Sequence, residues 1–311
     1  MEKIIEPIRK EKLIAELKSC KLIKKTKRRE NEIFSFFYRD APSIMYEVGR
    51  LRETALRLIG CGSGNVIDLD NFDMEPSAYR QLIVWNPRDR EIIGGYRYAV
   101  GKDYLIRTDL LSLSHFFRFS KKFVLEYLPY SIELGRAWVN PLYQPSATDS
   151  RSIFALDNLW EGLGAVVAEN EEVRFLIGKV TIPGTYNPTA RTLISWFMSH
   201  YYGDQKNLLV AYKPIISPRV LSVGGQKILG SDPENDYKII ANFIKNLGVF
   251  IPPLISAYLR LANDMVSFGS TLNPELENSY ETGIMIDVND IYPEKYTRYI
   301  QVSGQNEPVC I

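Results

Sequence analysis

Short runs rich in β-branched and aromatic residues alternate with amphipathic helical stretches along almost the whole chain, and no Pro-, Gly- or Ser-rich linker interrupts them. Neither kind of element can bury its apolar side alone, so interleaving of this sort predicts a mixed sheet with helices packed on it. The expected fold class is α/β (α+β), a central mixed sheet flanked by helices, with the C-terminal half extending it. Residues 9–20 read as a basic amphipathic helix, 32–38 as a strand, and 43–59 as a helix stopped by Gly60-Cys-Gly-Ser-Gly64. Residues 82–85 and 92–100 pair around Asn86-Pro-Arg-Asp89, and a loop-rich stretch leads to a strand at 132–139 and a long helix at 152–169. Strands at 175–181, 265–268 and 283–288 and helices at 189–201, 235–247 and 253–261 follow. Two units are expected: a basic helical segment, 1–31, and one domain, 32–311, whose C-terminal half (about 175–300) packs on the rest.

Charge is unevenly spread. Eleven Lys/Arg against four Glu give residues 1–29 a balance of +7, which leaves −6 on the remainder for the total of +1. A basic end on an acidic body suits an anionic partner such as an acidic carrier protein or a phospholipid surface, or is simply a solvated face. Nucleic acid fits poorly, because no aromatic residue interleaves the Lys24–Arg29 run. The N-terminus lacks the apolar core of a signal peptide, and the most apolar stretch, 247–259, is broken by Pro252-Pro253. Cys20, Cys61 and Cys310 form no CxxC pair. A cytoplasmic protein is expected, with peripheral contact to the inner membrane as an extension. With His115 and His200 as the only histidines, the chain has no HExxH and little scope for a Ser-His-Asp triad; it also lacks a dinucleotide fingerprint and a P-loop. Chemistry is therefore expected from carboxylates, arginines and backbone, without a bound metal or cofactor.

Three places break the apolar pattern. On the 43–59 helix, Arg52 falls inside the apolar arc. It either reaches a buried carboxylate or phosphate or snorkels along the rim. In Ser131-Ile-Glu-Leu-Gly-Arg-Ala-Trp-Val139, Glu133 and Arg136 face opposite sides of a flat strand. One bulge at Gly135 would bring both to the same face and expose N–H groups able to polarise a carbonyl; separate structural ion pairs are the alternative. Asp68, Asp70 and Asp73 follow the glycine-rich stop. They could bind an ammonium, or Asp73 could cap a short helix, and Arg97 in Gly94-Gly-Tyr-Arg97 is a candidate partner for them.

Several words carry a family resemblance: Glu47-Val-Gly-Arg-Leu-Arg-Glu53, Gly62-Ser-Gly64, Asp68-Leu-Asp70, Ile92-Ile-Gly-Gly-Tyr-Arg-Tyr98, Glu133-Leu-Gly-Arg136, Val139-Asn-Pro-Leu-Tyr143 and Asp157-Asn-Leu-Trp-Glu-Gly-Leu-Gly164. Gly178-Lys-Val-Thr181, Ile251-Pro-Pro-Leu-Ile255 and Glu281-Thr-Gly-Ile284 continue them. The chain resembles the bacterial hemolysin-named, GNAT-like acyltransferases that make N-acyl-glycine and N-acyl-ornithine lipids, above all the Bacteroidetes glycine branch. It is more distantly similar to acyl-homoserine-lactone synthases. The resemblance implies a GNAT-like fold with the acyl chain in a V between splayed central strands. It also implies transfer of a fatty acyl group, 3-hydroxylated in part of the family, to a small amino acid, glycine preferred.

GNAT enzymes that use acetyl-CoA bind pyrophosphate at a glycine-rich turn, but Pro145-Ser-Ala-Thr-Asp-Ser-Arg151 has no glycine. The expected donor is therefore the phosphopantetheine thioester of acyl carrier protein, with acyl-CoA left open, and Tyr143, Ser150, Arg151 and Ser152 are the candidate contacts to its arm. On this reading Glu133 is the base, Asp70 with Asp68 orients the ammonium, and Arg136 or Arg52 binds the acceptor carboxylate with Arg97 nearby. N–H groups around Gly135 and Ala137 support the oxyanion. A non-catalytic acyl-carrier or lipid-binding module and a lactone-forming signal synthase are the alternatives. A lytic, pore-forming role finds no support in the sequence.

Overall fold

The computed structural model describes residues 1–27, 29–74, 78–144, 154–216, 221–223, 226–228, 230 and 232–301. In chain order come α1 (Lys10–Leu17), β1 (Lys21–Lys25), β2 (Glu32–Phe36), α2 (Pro42–Arg57), β3 (Arg80–Asn86) and β4 (Glu91–Val100). After a stretch of short turns holding β5 (Phe117–Phe119) come β6 (Ser131–Val139), α3 (Ala155–Ala168), β7 (Phe175–Ile182) and α4 (Pro188–Tyr202). The remainder is β8 (Leu209–Ala211), β9 (Leu221–Val223), β10 (Gln226–Ile228), α5 (Pro233–Asn246), α6 (Pro253–Leu259), β11 (Val266–Asn273), β12 (Ser279–Asp287) and α7 (Pro293–Tyr299).

Eight strands form one sheet in the order β1-β2-β3-β4-β6-β7-β12-β11, antiparallel throughout except at β6–β7. Strand alternation splits the core. On one face Ile33, Leu82, Val84 and Tyr96 pack with Leu159 and Leu163 of α3. On the other, Phe34, Ile83 and Trp85 pack under Ile44, Val48 and Leu51 of α2. Further along that second face Phe175, Ile177 and Met285 meet Leu113, Phe117 and Phe123. The expected mixed sheet with a C-terminal extension is what forms.

Two irregularities position the site. Gly95 pairs with Trp138 and Arg97 with Gly135, so three steps on β6 oppose two on β4. That is a β-bulge, and the residue in the left-handed region is Arg136 (φ 50) rather than Gly135. Then β6 and β7 share only four rungs, Ser131–Phe175 to Leu134–Gly178. Beyond them β6 ladders with β4 alone and β7 with β12 alone, so the two middle strands part into a fork. A side chain at Gly178 would start 2.7 Å from the Leu134 carbonyl, so only glycine lets the last rung close before the strands separate.

The 1–31 boundary needs correction, because residues 21–25 are the edge strand β1 and not part of a helical segment. Its lysines are drawn onto the acidic body: Lys21 to Glu169 (2.8 Å), Lys24 to Glu161 (3.8 Å) and Lys25 to Glu32 (3.4 Å). Lysines on an edge also keep further strands from adding to it.

Candidate active site

α2 ends against the loop that supplies the acids. Glu53 is fully buried and accepts from Ser63 N–H and Oγ (both 2.9 Å), Gly64 N–H (2.8 Å) and Arg57 Nε (2.6 Å). It pins the glycine-rich stop to the helix and so delivers Asp68–Asp73 to the second face of the sheet. Arg50 pairs with Glu47, at 2.6 Å.

There three arginines interleave with three aspartates. Arg52 Nε lies 2.8 Å from Asp68 Oδ2 and its Nη2 2.6 Å from Asp73 Oδ2, and the guanidinium also donates to the Asp68 carbonyl. Arg97 forks onto Asp70, with one arm at 3.0 Å, and reaches Asp73 Oδ1 at 3.1 Å. Arg136 Nη2 touches Asp68 Oδ1 (3.3 Å) and Asp70 Oδ2 (3.1 Å). Burial alone would favour neutral groups. Against it, Asp68 and Asp73 raise the Arg52 pKa, Asp73 and Asp70 raise that of Arg97, and Arg52 and Arg97 hold Asp73 below its ordinary range. All stay charged. Asp73 also receives Gln81 Nε2 and the Asp70 N–H, so it closes a turn and an ion network at once.

Glu133 projects from β6 onto the same face. Leu113 N–H donates to its Oε1 at 3.0 Å, while Oε2 is buried with no partner. Burial pushes its pKa from 4.5 up to about 7, a rise that the Leu113 N–H, the Tyr79 hydroxyl, Arg97 and Lys179 partly offset. The bulge reverses the strand's alternation, so Arg136 emerges on this side too. Arg97 Nε and Arg136 Nε are also buried without partners. One unpaired acceptor and two unpaired donors thus surround the root of the fork.

The other prong carries residues to which sequence reasoning gave no role. Lys179, the first β7 residue past the last rung, lies 2.8 Å from Glu281 on β12 and 4.7 Å from the Phe116 ring centre. Glu281 is buried and also accepts from Thr181 (2.7 Å) and Asn273 (2.9 Å). Cys61 lies near enough to feel Glu281, Lys179 and Arg136, and burial raises its thiol to about 11, too high for a nucleophile. Lys179 and Glu281 are charges in otherwise apolar strands, the same signal that singles out Glu133 and Arg97.

Of the expected contact residues, Arg136 and Asp70 keep about 30 % of their side chains open, Gly135 is half-buried and Ala137 exposed. Arg52, Asp68 and Arg97 do not line an open surface: their side chains are at most 4 % exposed and committed to one another, so they are corrected from substrate contacts to the frame that aims the others. Tyr143 is also corrected. It is buried, with its hydroxyl 3.2 Å from Asp89 and from Glu91, where carboxylates would repel a phosphate. Ser150, Arg151 and Ser152 lie outside the described residues. A cavity of about 520 Å³ opens at the closed end of the fork, edged by Tyr127, Tyr130, Arg174, Asp264 and Asp287, and touches none of these groups. Among the described residues no set of three His, Cys, Asp or Glu side chains is arranged to hold a metal, and no helix is long and apolar enough to cross a membrane.

Comparison with known proteins agrees with this geometry. The profile described as "Acetyltransferase (GNAT) domain" matches residues 51–152, which run from α2 through the forked strand. A glycine N(alpha)-acyltransferase of Phocaeicola vulgatus is 39 % identical over 311 residues, covering 99 % of this chain and 95 % of its own. Another, from Bacteroides thetaiotaomicron, is 40 % identical over 313 residues, with 99 % and 92 % covered. No solved structure was found to match. A GNAT sheet forked beside a buried glutamate, together with this near full-length likeness, identifies the chain as a member of the glycine N(alpha)-acyltransferase family and as an N-acyltransferase.

Proposed function

We propose that this N-acyltransferase moves a fatty acyl group from the phosphopantetheine thioester of acyl carrier protein to the amine of glycine, giving an N-acyl amino acid that serves as a lipid precursor. The observation that carries the reading is the pair of unpaired polar atoms at the fork, Glu133 Oε2 against Arg136 Nε. An unsatisfied buried group costs about 1–3 kcal/mol, and a ligand with both a donor and an acceptor relieves both. A zwitterion is such a ligand. Glycine is named because the two relatives bear that acceptor in their names.

Glu133 takes a proton from the acceptor ammonium, and a carboxyl titrating near pH 7 is suited to do so at neutral pH. Asp70 orients the amine and Arg136 the carboxylate. The amine nitrogen then attacks the thioester carbonyl carbon, the C–N bond forms, and the oxyanion faces N–H groups on the part of β6 that has left the β7 ladder. Collapse breaks the C–S bond, and the departing thiolate takes the proton that the attacking nitrogen sheds as it becomes an amide. The carrier-protein donor is favoured by the lack of glycine in Pro145–Arg151, a stretch too bulky for close pyrophosphate approach. Purified protein given 3-hydroxyacyl carrier protein and a panel of amino acids, with products read by mass spectrometry, tests this reading. N-acyl-glycine as the main product is expected; ornithine or another amine as the preferred acceptor, or acyl-CoA as the better donor, would overturn the corresponding half.

A further inference from the structure

We infer that Lys179 is the second cation of the acceptor site and holds the α-carboxylate of the incoming amino acid from the β7 side of the fork. The inference deepens the function proposed above and rests on the acceptor being an amino acid.

Lys179 stands where such a group is needed. Ile177 is the rung partner of Glu133, and strand alternation puts Lys179 on the same face two residues on, just after the rungs stop. The base and the ammonium therefore flank the split from opposite prongs. The Cys61 thiol feels the charge of both Lys179 and Arg136, as a group lying between the two prongs would.

The ammonium is also held so that a donor remains. Of its three N–H bonds, one is given to Glu281 at 2.8 Å, and the Phe116 ring lies alongside at 4.7 Å. The side chain keeps 21 % of its surface open. Lys179 does most to keep Glu281 ionised against burial, but Thr181, Asn273 and Ser279 donate to its two oxygens as well. By contrast, each arginine of the frame already meets two carboxylates. Lys179 is the cation of this cluster with a single carboxylate partner, and so the one with most of its charge left for a ligand. Cations on Arg136 and Lys179 set against acids at Asp70 and Glu133 place opposite charges side by side, which favours a zwitterion over a simple amine.

Glycine and glycinamide separate this role from a merely structural pin between β7 and β12, because glycinamide keeps the amine and loses the carboxylate. With the full-length protein and 3-hydroxyacyl carrier protein as donor, Lys179→Met is expected to raise KM for glycine at least tenfold. It should change kcat less than threefold and leave KM for glycinamide unmoved, and Lys179→Arg should recover most of the glycine affinity. Lys179→Gln is measured beside it, since its amide retains a bond to Glu281 should the methionine variant fold poorly. Equal losses for both acceptors, or no change for either, would overturn the inference. Calorimetric titration of glycine without donor distinguishes the two readings. Binding to the wild type that Lys179→Gln weakens tenfold, without any turnover, sinks the glycine acyltransfer reading and keeps this one; turnover with unaltered binding does the reverse.

Discussion

Glu133 is under opposing demands from the core around it and from the chemistry. Its carboxyl titrates near 4.5 in an unfolded chain and at about 7 in the folded one. Below pH about 4.5 both states are protonated and nothing is lost. Between those values the unfolded chain ionises first, so stability falls as pH rises, by about 3 kcal/mol in all, and levels off above 7. Glu133→Gln is therefore expected to be more stable than the wild type at pH 8 in urea unfolding. It should also lose at least about 100-fold in kcat/KM, together with the rise of the pH–rate profile through 7. Equal stability at pH 8 would mean that the carboxyl is not buried as described. Arg52 behaves oppositely. Arg52→Met takes the nearest cation from buried Asp68 and Asp73, leaving them only the longer pairs to Arg136 and Arg97, and is expected to cost about 3–5 kcal/mol in the same unfolding measurement. A helical wheel is enough to find Arg52 as a misfit on its helix. It cannot choose between rim and interior, because the acids that seal Arg52 are 16 and 21 residues further along the chain and arrive only through tertiary folding.

At the scale of elements, the distorted strand is legible in Ser131–Val139, since two charges of opposite parity around a glycine leave few other ways to build a sheet. The position of the extra residue is not legible. The left-handed conformation falls on Arg136, at a cost of about 1–2 kcal/mol for a residue with a Cβ, and its two ion pairs offset that cost. Deleting Arg136 removes the extra residue and restores a regular ladder from Gly135 onwards. Trp138 would keep its place opposite Gly95 and beneath α2, and the strand would lose only its bulge and its arginine. Circular dichroism melts should show the deletion variant still folded, with a Tm within about 10 °C of the wild type; Arg136→Gly, which keeps the bulge, should melt near the wild type, and both variants should lose activity. The fork has no local signature at all. It arises between strands whose ends are separated by the whole of α3, and only the pairing register reveals where the rungs stop.

For the whole molecule, the mixed α/β class with helices on a large sheet was legible in the alternation of elements. The sequence misled about the basic N-terminus, where lysines of an edge strand look the same as lysines of a free helix. With Lys21, Lys24 and Lys25 turned onto the body, Arg9, Lys12 and Lys18 remain exposed without carboxylate partners among the described residues. If an acidic carrier docks there, Lys12→Glu with Lys18→Glu should raise KM for acyl carrier protein about tenfold, steeply eased by salt, and leave KM for a free acyl-pantetheine thioester unchanged. An equal change for both donors would remove that surface from the docking site. The β6–β7 parting has a consequence of its own. Main-chain amides and carbonyls that any ordinary neighbour would have claimed are left along the inner edges of the gap, and an acyl-pantetheine arm is itself a ribbon of amides. Were the proposed donor to slide in, it would take the place of a missing strand, so that the molecule about to be consumed would complete the architecture that binds it.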